Sequence, residues 1–485
     1  MNARHAMGKH TAFDVLVIGA GVSGANIARK LSAYELDVAL VDKECDVSFG
    51  TSKSNSGIIH GGFHHSSRQL KARLEIRGNA MFDQLQRELG FPFRRCGILV
   101  VATHSDEMKV ISQLYARGVE NGSVGIEMCS RERMLDLEPK LSPDVLGGLH
   151  APSGGIIEPY RFVFCLVESA CKNGVQLFTD FKVTQGTFDG TRWEVRAEDG
   201  RLLRARYVVN AAGLFADEVS RAFQADEIPL TPRKGEYFLL DRSTPACPSK
   251  VLFPVPTHNS KGVLVIPTVE GTVLVGPTAL DIQDKTDLST TAEELEKIFD
   301  YAKRLVPSIS QGDVITSFAG LRPVGKDEDF FIDFSARARQ LIQVAGIQSP
   351  GLTASPAVGE HVKDLLRKAG VELTEKKSFD PYIDHVPRLR EAGMAEAESL
   401  VAADARYGNV VCRCEKVSEA EIVAAITRGH TTMDGIKYFT RAGMGRCQGG
   451  FCTSRVLKII MRETGIAPES ITKKGKDSFL LRGRV

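Results

Sequence analysis

The sequence predicts an α/β protein that combines a parallel sheet, a separate antiparallel sheet and a small helical C-terminal domain. Three observations lead to this fold class. An apolar strand runs into a glycine-rich turn and a helix near the N-terminus, and residues 226–318 alternate apolar and polar side chains between Pro- and Gly-marked turns. Helical segments then surround four cysteines in the last fifth of the chain. The length of 485 residues agrees with about three domains at roughly 150 residues each.

The composition is that of a folded globular protein and excludes intrinsic disorder and fibrous architectures. Hydrophobic residues make up 43% and charged residues 25% of the chain, close to globular averages. The net charge of +2 gives no field that would recruit nucleic acid, so we expect no nucleic-acid partner. No run approaches the roughly 20 apolar residues of a membrane span, and the opening MNARHAMGKHTAFDV lacks the apolar core of a secretory signal. We therefore expect a multi-domain enzyme of the cytoplasm.

The first landmark is a dinucleotide fingerprint. Residues 13–20, FDVLVIGA, have the continuous apolar character of a strand buried in a parallel sheet, and a helical segment follows Gly24. Gly19 permits the tight turn, Gly21 lets the backbone approach a pyrophosphate, and Gly24 lets the helix pack closely on the strand. Asp42 ends the next apolar run and is placed to accept hydrogen bonds from ribose hydroxyls. This order predicts a Rossmann-like nucleotide-binding domain.

Later segments favour FAD over a nicotinamide dinucleotide. A Ser-, Thr- and Gly-rich stretch occupies residues 50–62, and two further apolar strands run into glycine-containing turns at residues 211–213 and 346–351. Three distant segments that return to one sheet suit FAD, whose ring system lies far from its adenine. The residues that we expect to contact FAD come from these segments and from residue 183 between them: Gly19, Gly21, Ser23, Gly24, Asp42, Lys43, Thr51, Ser52, Ser56, Gly57, Ile58, Val183, Ala212, Gly213, Gly346, Gly351, Leu352 and Thr353.

Residues 13–62, 207–217 and 320–360 resemble the D-amino-acid oxidase-type FAD superfamily. Within it they resemble the branch of glycerol-3-phosphate dehydrogenases and L-2-hydroxyglutarate oxidases. The resemblance covers about residues 12–370 and implies a two-part organisation. FAD-binding parts would occupy about residues 12–90, 150–225 and 320–370, and an antiparallel substrate domain that covers the flavin would occupy about residues 91–149 and 226–319.

The second landmark is a set of four cysteines with C-x-C and C-x4-C spacing, 32 residues apart: Cys412, Cys414, Cys447 and Cys452. Four thiolates can hold either zinc or an iron–sulfur cluster. Ser418 and Glu421 form a capping box before a helix that ends at Gly429, and we expect a short helix over MDGIKYFTR and a last helix over FCTSRVLKIIMRETG. The spacing and the string MGRCQGGFC resemble the bacterioferritin-associated-ferredoxin (BFD)-like [2Fe-2S] domain, which also ends the large subunit of anaerobic glycerol-3-phosphate dehydrogenases. That resemblance implies a [2Fe-2S] cluster on the four cysteines, with zinc or an empty structural set as alternatives.

The resemblance places this cluster domain at residues 408–466. Residues 371–407 are polar, carry two prolines and are predicted to connect it to the flavoprotein body. The basic tail, residues 467–485, is predicted to be a solvated end, with docking to a partner as the alternative.

Oxidation of an alcohol requires a hydride acceptor, a base for the hydroxyl proton and cations for an anionic substrate. We expect Arg322 in AGLRPVGKD to hold the anion, since a guanidinium offers a planar fork and the string resembles the family's substrate-binding G-[VL]-R-P. His60, His64 and His65 follow the flavin-contacting loop, and one of them is the candidate base. Tyr237 is either a hydrogen-bond donor to substrate or a core residue.

The fused cluster domain favours sn-glycerol 3-phosphate as the substrate. Gly351, however, stands where glycerol-3-phosphate dehydrogenases usually carry a lysine for the phosphate. His64 stands where those enzymes carry an arginine beside the flavin loop. The GEY, VGPTA and SPGLTASP strings resemble L-2-hydroxyglutarate oxidases, so that substrate stays open. An electron-transfer subunit without its own substrate is the third alternative. The resemblance also implies electron transfer to a partner flavoprotein or membrane-side subunit, through which the chain would be peripheral at the inner membrane.

Overall fold

The structure is a computed structural model that describes residues 11–256, 262–481 and 483. The first ten residues, where the sequence lacks the apolar core of a secretory signal, lie outside the described residues. The same holds for residues 482, 484 and 485 of the basic tail.

The nucleotide-binding part is built on an eight-stranded sheet with a parallel centre. The strand Ala12–Ile18 lies between Val38–Val41 and Leu202–Asn210, and it is parallel to both. Its apolar side chains are almost wholly buried, as expected for a strand covered on both faces. The remaining strands are Gln176–Phe178, Val183–Phe188, Trp193–Ala197, Phe331–Phe334 and Leu341–Ala345. The predicted Rossmann-like sheet is therefore confirmed.

The second large sheet has nine strands: Ile98–Ala102, Glu127–Ser130, Gly147–Ala151, Leu230–Leu240, Val251–Pro254, Leu264–Pro267, Val273–Gly276, Leu280–Asp281 and Val314–Gly325. Its longest pair is antiparallel and joins Leu230–Leu240 to Val314–Gly325. The predicted antiparallel sheet is confirmed, with one parallel junction, between Ile98–Ala102 and Val251–Pro254. The two strands come from different segments of the substrate domain, and no short turn imposes their direction.

Two small sheets complete the strands. One joins Ile58–Ile59, Phe93–Arg94 and Gly155–Ile157, and the other joins Val410–Cys412 to Val417–Ser418. The α-helices are Val22–Leu31, Leu70–Leu89, Glu107–Asn121, Arg131–Leu137, Pro159–Lys172, Ala216–Ala222, Ala292–Leu305, Gly351–Lys368, Met394–Ala403, Glu419–Thr427, Met433–Thr440 and Thr453–Thr464. None of these described helices combines the length and apolar character needed to cross a bilayer.

The C-terminal domain forms the three helices that the sequence predicts. Ser418 and Glu421 form the capping box of Glu419–Thr427, with the Ser418 side chain accepting from the Glu421 amide. The helices pack into the same hydrophobic core as the nucleotide-binding part, in which Phe164 stacks near His430 at 4.5 Å between ring centroids. The cluster domain is thus joined to the body by packing as well as by the connector.

The connector and the tail are more ordered than the sequence suggests. The connector contains the helix Met394–Ala403, which the sequence analysis did not predict. Residues 471–480 of the tail, expected to be a solvated end, are held by backbone hydrogen bonds, although Lys473, Lys474 and Phe479 are exposed. Ile471 is buried, the amides of Met433 and Asp434 donate to the carbonyls of Thr472 and Lys473, and a Cβ on Gly475 would touch Cys45. These backbone bonds hold the tail across the start of Met433–Thr440, which explains the difference.

Candidate functional site

A cavity of about 2380 Å³ lies where the nucleotide-binding part, the substrate domain and the cluster domain meet. Its wall includes Gly21 of the fingerprint, Arg322 of the long antiparallel pair and Tyr438 of the cluster domain. This volume is larger than the roughly 300–1,000 Å³ of a typical small-ligand pocket, so it has room for a large cofactor and a substrate together.

The fingerprint glycines have the geometry that the sequence predicts. Gly19 has φ of +105°, and a Cβ there would lie 2.4 Å from the Ala211 carbonyl oxygen. A Cβ on Gly24 would lie 1.8 Å from the Gly19 oxygen, so any side chain would force the helix away from the strand. Gly21 lines the cavity, where an added Cβ would face Ser52 Oγ at 3.1 Å. These contacts close the turn and leave the backbone open to a diphosphate.

Two helices begin at the cavity wall without a side-chain cap from the residue before them. They are Val22–Leu31, preceded by Gly21, and Gly351–Lys368, preceded by Pro350. Helix N-termini attract anions through their amides and dipole. In the first helix, the Val22 amide donates to Ser52 Oγ at 2.9 Å, which ties the Ser- and Thr-rich loop to the fingerprint. The residues present therefore suit a bound dinucleotide.

Asp42, the residue predicted to bind the adenosine ribose, lies at the cavity. Its carboxylate accepts from the Ala20 amide at 2.6 Å and from the Glu44 amide at 2.9 Å, and it lines the cavity. Burial raises the pKa of Asp42 to about 6, against the effect of these two amides. The hydroxyl groups of a ribose could donate further hydrogen bonds to the Asp42 carboxylate, in addition to those from the two amides.

Most of the predicted FAD-binding residues line the cavity: Gly19, Gly21, Ser23, Asp42, Lys43, Thr51, Ser52, Ser56, Gly57, Ile58, Val183, Ala212, Gly213, Gly351 and Leu352. Gly24, Gly346 and Thr353 do not. Gly24 faces the strand, Gly346 has φ of +68° and lies against the Asp329 carbonyl, and Thr353 Oγ1 accepts from the His60 amide at 2.9 Å. These three lie behind the lining of the cavity, and their contact with FAD stays a prediction.

Arg322 and Tyr237 lie together on the substrate side. Arg322 Nη2 donates to the Thr278 carbonyl at 2.9 Å, and within the described residues no carboxylate lies within 4.0 Å of its guanidinium. Burial lowers the pKa of Arg322. Tyr237 stacks on Phe318 with ring centroids 5.0 Å apart, and burial raises its pKa. The guanidinium therefore presents donors and a positive charge to the cavity.

The three predicted histidines line the same region. The rings of His60 and His64 lie 5.8 Å apart, and those of His64 and His65 6.3 Å apart. His60 Nε2 lies 3.2 Å from Ser349 Oγ, which the sequence analysis did not single out. Ser349 lies in the turn directly before the helix Gly351–Lys368, and this place at a predicted flavin-binding turn could have identified Ser349 from the sequence.

The four cysteines are grouped as two pairs. Cys414 and Cys447 have their sulfurs 3.5 Å apart, and Cys452 donates a hydrogen bond to Cys412. That S–H donor, with the Gly443 and Glu415 amides, lowers the pKa of the Cys412 thiol to about 6 against the effect of burial. Among the described residues no three His, Cys, Asp or Glu side chains are grouped to hold a single metal ion. Two adjacent thiol pairs match a two-iron cluster better than one zinc ion.

Glycines allow this grouping. A Cβ on Gly445 would lie 2.3 Å from the Cβ of Cys414, and Gly443 and Gly449 have φ near +90°. Phe451 beside Cys452 has 83% of its surface exposed, so one side of the cysteine group faces solvent.

A buried ion-pair network joins the cluster domain to the rest of the chain: Glu158, Glu270, Glu415, Arg388, Arg390 and Arg441. Arg441 donates to Glu158 at 3.0 Å, to Glu415 at 2.9 Å and to the Tyr160 hydroxyl at 2.6 Å. The pKa of Glu158 is held at about 2, since Arg388 and Arg441 outweigh the opposing effect of burial. The sequence gives no sign of this network, because no local pattern marks charges that meet from five separate segments of the chain.

The comparisons with known proteins agree with this geometry. The family model described as FAD dependent oxidoreductase matches residues 14–365. The model described as BFD-like [2Fe-2S] binding domain matches residues 410–462. The chain therefore carries the FAD and the [2Fe-2S] cluster that its residues suit, and both sequence resemblances are confirmed.

Three similar proteins extend the comparison. A glycerol 3-phosphate dehydrogenase of Caloramator mitchellensis is 42% identical and covers 97% of this chain and 98% of its own length. The anaerobic glycerol-3-phosphate dehydrogenase subunit A1 of Haloferax volcanii is 27% identical and covers 91% of this chain and 82% of its own. The structure of dithionite-reduced L-α-glycerophosphate oxidase from Mycoplasma pneumoniae with FAD bound is 32% identical, with a TM-score of 0.74, and covers 78% of this chain and 99% of its own.

Proposed function

The chain belongs to the family of FAD-dependent oxidoreductases, and we propose that it oxidises sn-glycerol 3-phosphate to dihydroxyacetone phosphate. The observation that carries the proposal is the Arg322 guanidinium, which is half-buried at the cavity with no carboxylate within 4.0 Å among the described residues, Asp281 acting only at longer range. A buried cation is costly unless an opposite charge reaches it. The 42% identity with a glycerol 3-phosphate dehydrogenase over nearly the whole chain supports a phosphate monoester as that charge.

The chain's own residues perform the binding and the proton transfer. Arg322 orients the anion, and Tyr237 beside it donates a hydrogen bond to the substrate. We place the proton of the reacting hydroxyl on His60, whose backbone is held by Thr353 Oγ1 at the start of the helix Gly351–Lys368 and whose ring contacts Ser349. Bound FAD supplies the hydride acceptor and the [2Fe-2S] cluster the one-electron carrier.

Electrons leave through the cluster domain to a partner flavoprotein or a membrane-side subunit. Tyr160, which lines the cavity, donates to Met444 Sδ at 3.3 Å in the loop that carries Cys447. The exposed side chain of Phe451 beside Cys452 supports a docking partner at this face. The enzyme would then work at the inner membrane through its partner rather than through a span of its own.

Replacement of a cysteine tests the exit route. In Cys447→Ser we expect substrate still to bleach the flavin absorbance, while turnover with the physiological acceptor collapses. Cys129→Ser, which changes a buried cysteine far from the group, is the control and should keep both activities. Normal acceptor turnover in a Cys447→Ser protein that has lost its iron would contradict the route.

L-2-hydroxyglutarate is the second candidate, favoured by the first turn of the helix Gly351–Lys368. That turn, GLTA, carries no lysine that could bind a phosphate. Parallel anaerobic titrations with glycerol 3-phosphate and L-2-hydroxyglutarate decide between the two, because only the true substrate bleaches the flavin at stoichiometric concentration. Bleaching by neither would favour an electron-transfer subunit and overturn the proposal.

A further inference from the structure

One wall of the large cavity lies beside the dinucleotide fingerprint and is built jointly by two domains. The nucleotide-binding part contributes Phe49 and Lys53, and the helix Met433–Thr440 of the cluster domain contributes Lys437 and Tyr438. The ordered tail adds two exposed lysines, Lys473 and Lys474. We call Lys53, Lys437, Lys473 and Lys474 the lysine cluster.

The lysine cluster is not neutralised within the described residues. None of its four ammonium groups lies within 4.0 Å of a carboxylate there, although Asp434 is near enough to favour the charged forms of Lys53 and Lys437. Lys53 and Lys437 are half-buried, and desolvation lowers the pKa of both. Lys53 Nζ lies 4.4 Å from the Phe49 ring centroid and 5.2 Å from that of Tyr438, so aromatic faces compensate it only in part.

Two other lysines around the same cavity, Lys285 and Lys43, are paired with carboxylates, whereas Lys71 and Lys476 have none within 4.0 Å among the described residues. Lys285 pairs with Asp217 at 2.6 Å, and Lys43 lies 3.8 Å from Glu44. Lys71 donates to the Glu328 carbonyl. Like charges gathered in a partly desolvated wall are unfavourable unless an anion joins them. The contrast indicates that the lysine cluster is arranged for an anionic ligand.

We propose that Lys53, Lys437, Lys473 and Lys474 form a phosphate-binding site shared by the nucleotide-binding and cluster domains. Ammonium groups bind phosphate oxygens as point charges, and four on one cavity wall suit a diphosphate. The diphosphate has two sources. One source is bound FAD, because Lys53 directly follows Ser52, which accepts a hydrogen bond from the first helical amide of the fingerprint. The other source is a separate molecule held beside FAD. The site does not depend on which alcohol the enzyme oxidises.

The test compares the full-length holoenzyme with Lys53→Gln/Lys437→Gln. Lys297→Gln, which removes an exposed lysine paired with Glu293 and Glu294, is the matched control. The first measurement is the dissociation constant of FAD from its fluorescence on release. The second is calorimetric binding of inorganic pyrophosphate to the FAD-loaded protein. Lys53→Arg/Lys437→Arg keeps both charges and separates their loss from a packing defect.

If the site holds the FAD diphosphate, the glutamine variant weakens FAD binding by about tenfold or more, and the arginine variant restores it. If it holds a separate ligand, FAD binding is unchanged, and pyrophosphate binds to the wild-type and control holoenzymes but not to the glutamine variant. The proposal would be overturned if the wild-type protein and the glutamine variant bound FAD equally well and also did not differ in pyrophosphate binding.

Discussion

Charged side chains in the interdomain ion-pair network have partners of opposite charge, whereas Arg322 and Lys53 at the cavity have no carboxylate within 4.0 Å among the described residues. In the network, Arg441 meets the carboxylates of Glu158 and Glu415 at 3.0 and 2.9 Å, and each buried charge faces an opposite one. At the cavity, Arg322 donates to the carbonyl oxygens of Arg233 and Thr278, and Lys53 lies near aromatic rings; neither has a carboxylate within 4.0 Å among the described residues. Glu158, Glu270 and Arg441 of the network also line the cavity, so it is the lack of a carboxylate partner, and not the position at the cavity, that distinguishes the charges we expect to bind ligands.

The largest effect is expected from a side chain that fills the part of the cavity where the fingerprint faces the cofactor. In Gly21→Val, the side chain would meet Ser52 Oγ, 3.1 Å from the position of a Cβ, in the space where the backbone faces the cofactor. We expect essentially complete loss of flavin with the fold retained, because the change occupies cavity space rather than the core. The absorbance of the purified protein near the flavin maximum measures it. Gly393→Val is the control, since Gly393 lies outside the cavity lining and a Cβ there meets nothing within 4 Å. Normal flavin content in Gly21→Val would contradict the account.

Removing a paired charge should damage structure. Arg441→Met leaves the buried carboxylates of Glu158 and Glu415 without this cation, and breaking a buried pair costs about 3–5 kcal/mol. We expect faster hydrogen exchange in Met433–Thr440 and a lower unfolding midpoint, with flavin still bound. Arg406→Met, which removes an exposed partner of Asp404, should change stability by less than about 1 kcal/mol. Equal effects from the two variants would remove the distinction.

Removing an open charge should damage binding and leave stability intact. Arg322→Ala loses a charge-assisted contact of roughly 2–3 kcal/mol, so we expect kcat/KM to fall by about 10²-fold. The unfolding midpoint should change little, because no ion pair within 4.0 Å is lost among the described residues. Steady-state kinetics beside thermal unfolding measures the two effects in one protein preparation. A large fall in stability would show that Arg322 is a structural residue.

The smallest expected effect concerns Asp42 and pH. Its pKa is raised from 3.8 to about 6 by burial, so the empty folded protein gains stability as the pH falls from above 6 towards 4. Ribose hydroxyls donate best to the ionised carboxylate, and FAD affinity should therefore decrease as the pH falls through about 6. Fluorescence of released FAD across pH 5–8 checks this. Asp42→Asn should bind more weakly at pH 7.5 and lose most of the pH dependence between 5 and 7.

The sequence predicted the parts of the site that depend on local geometry. Gly19 and Gly24 could be assigned because a close backbone approach requires glycine within one strand–turn–helix unit, and the capping box at Ser418 follows from the same kind of local rule. The parallel pairing of Ile98–Ala102 with Val251–Pro254 could not be predicted, since it depends on tertiary packing. The docked tail, whose backbone bonds reach Met433 and Asp434, and the contact of Arg441 with Glu158, 283 positions away, likewise depend on tertiary packing.

The most direct test of the central account is a freeze-quench experiment with the anaerobic wild-type holoenzyme. One equivalent of glycerol 3-phosphate is added, and flavin absorbance is recorded together with low-temperature paramagnetic resonance. The account predicts bleaching of the flavin followed by the signal of a reduced [2Fe-2S] cluster, and neither change with glycerol at the same concentration, because Arg322 requires an anion. Bleaching without any cluster signal, or an equal response to uncharged glycerol, would contradict it.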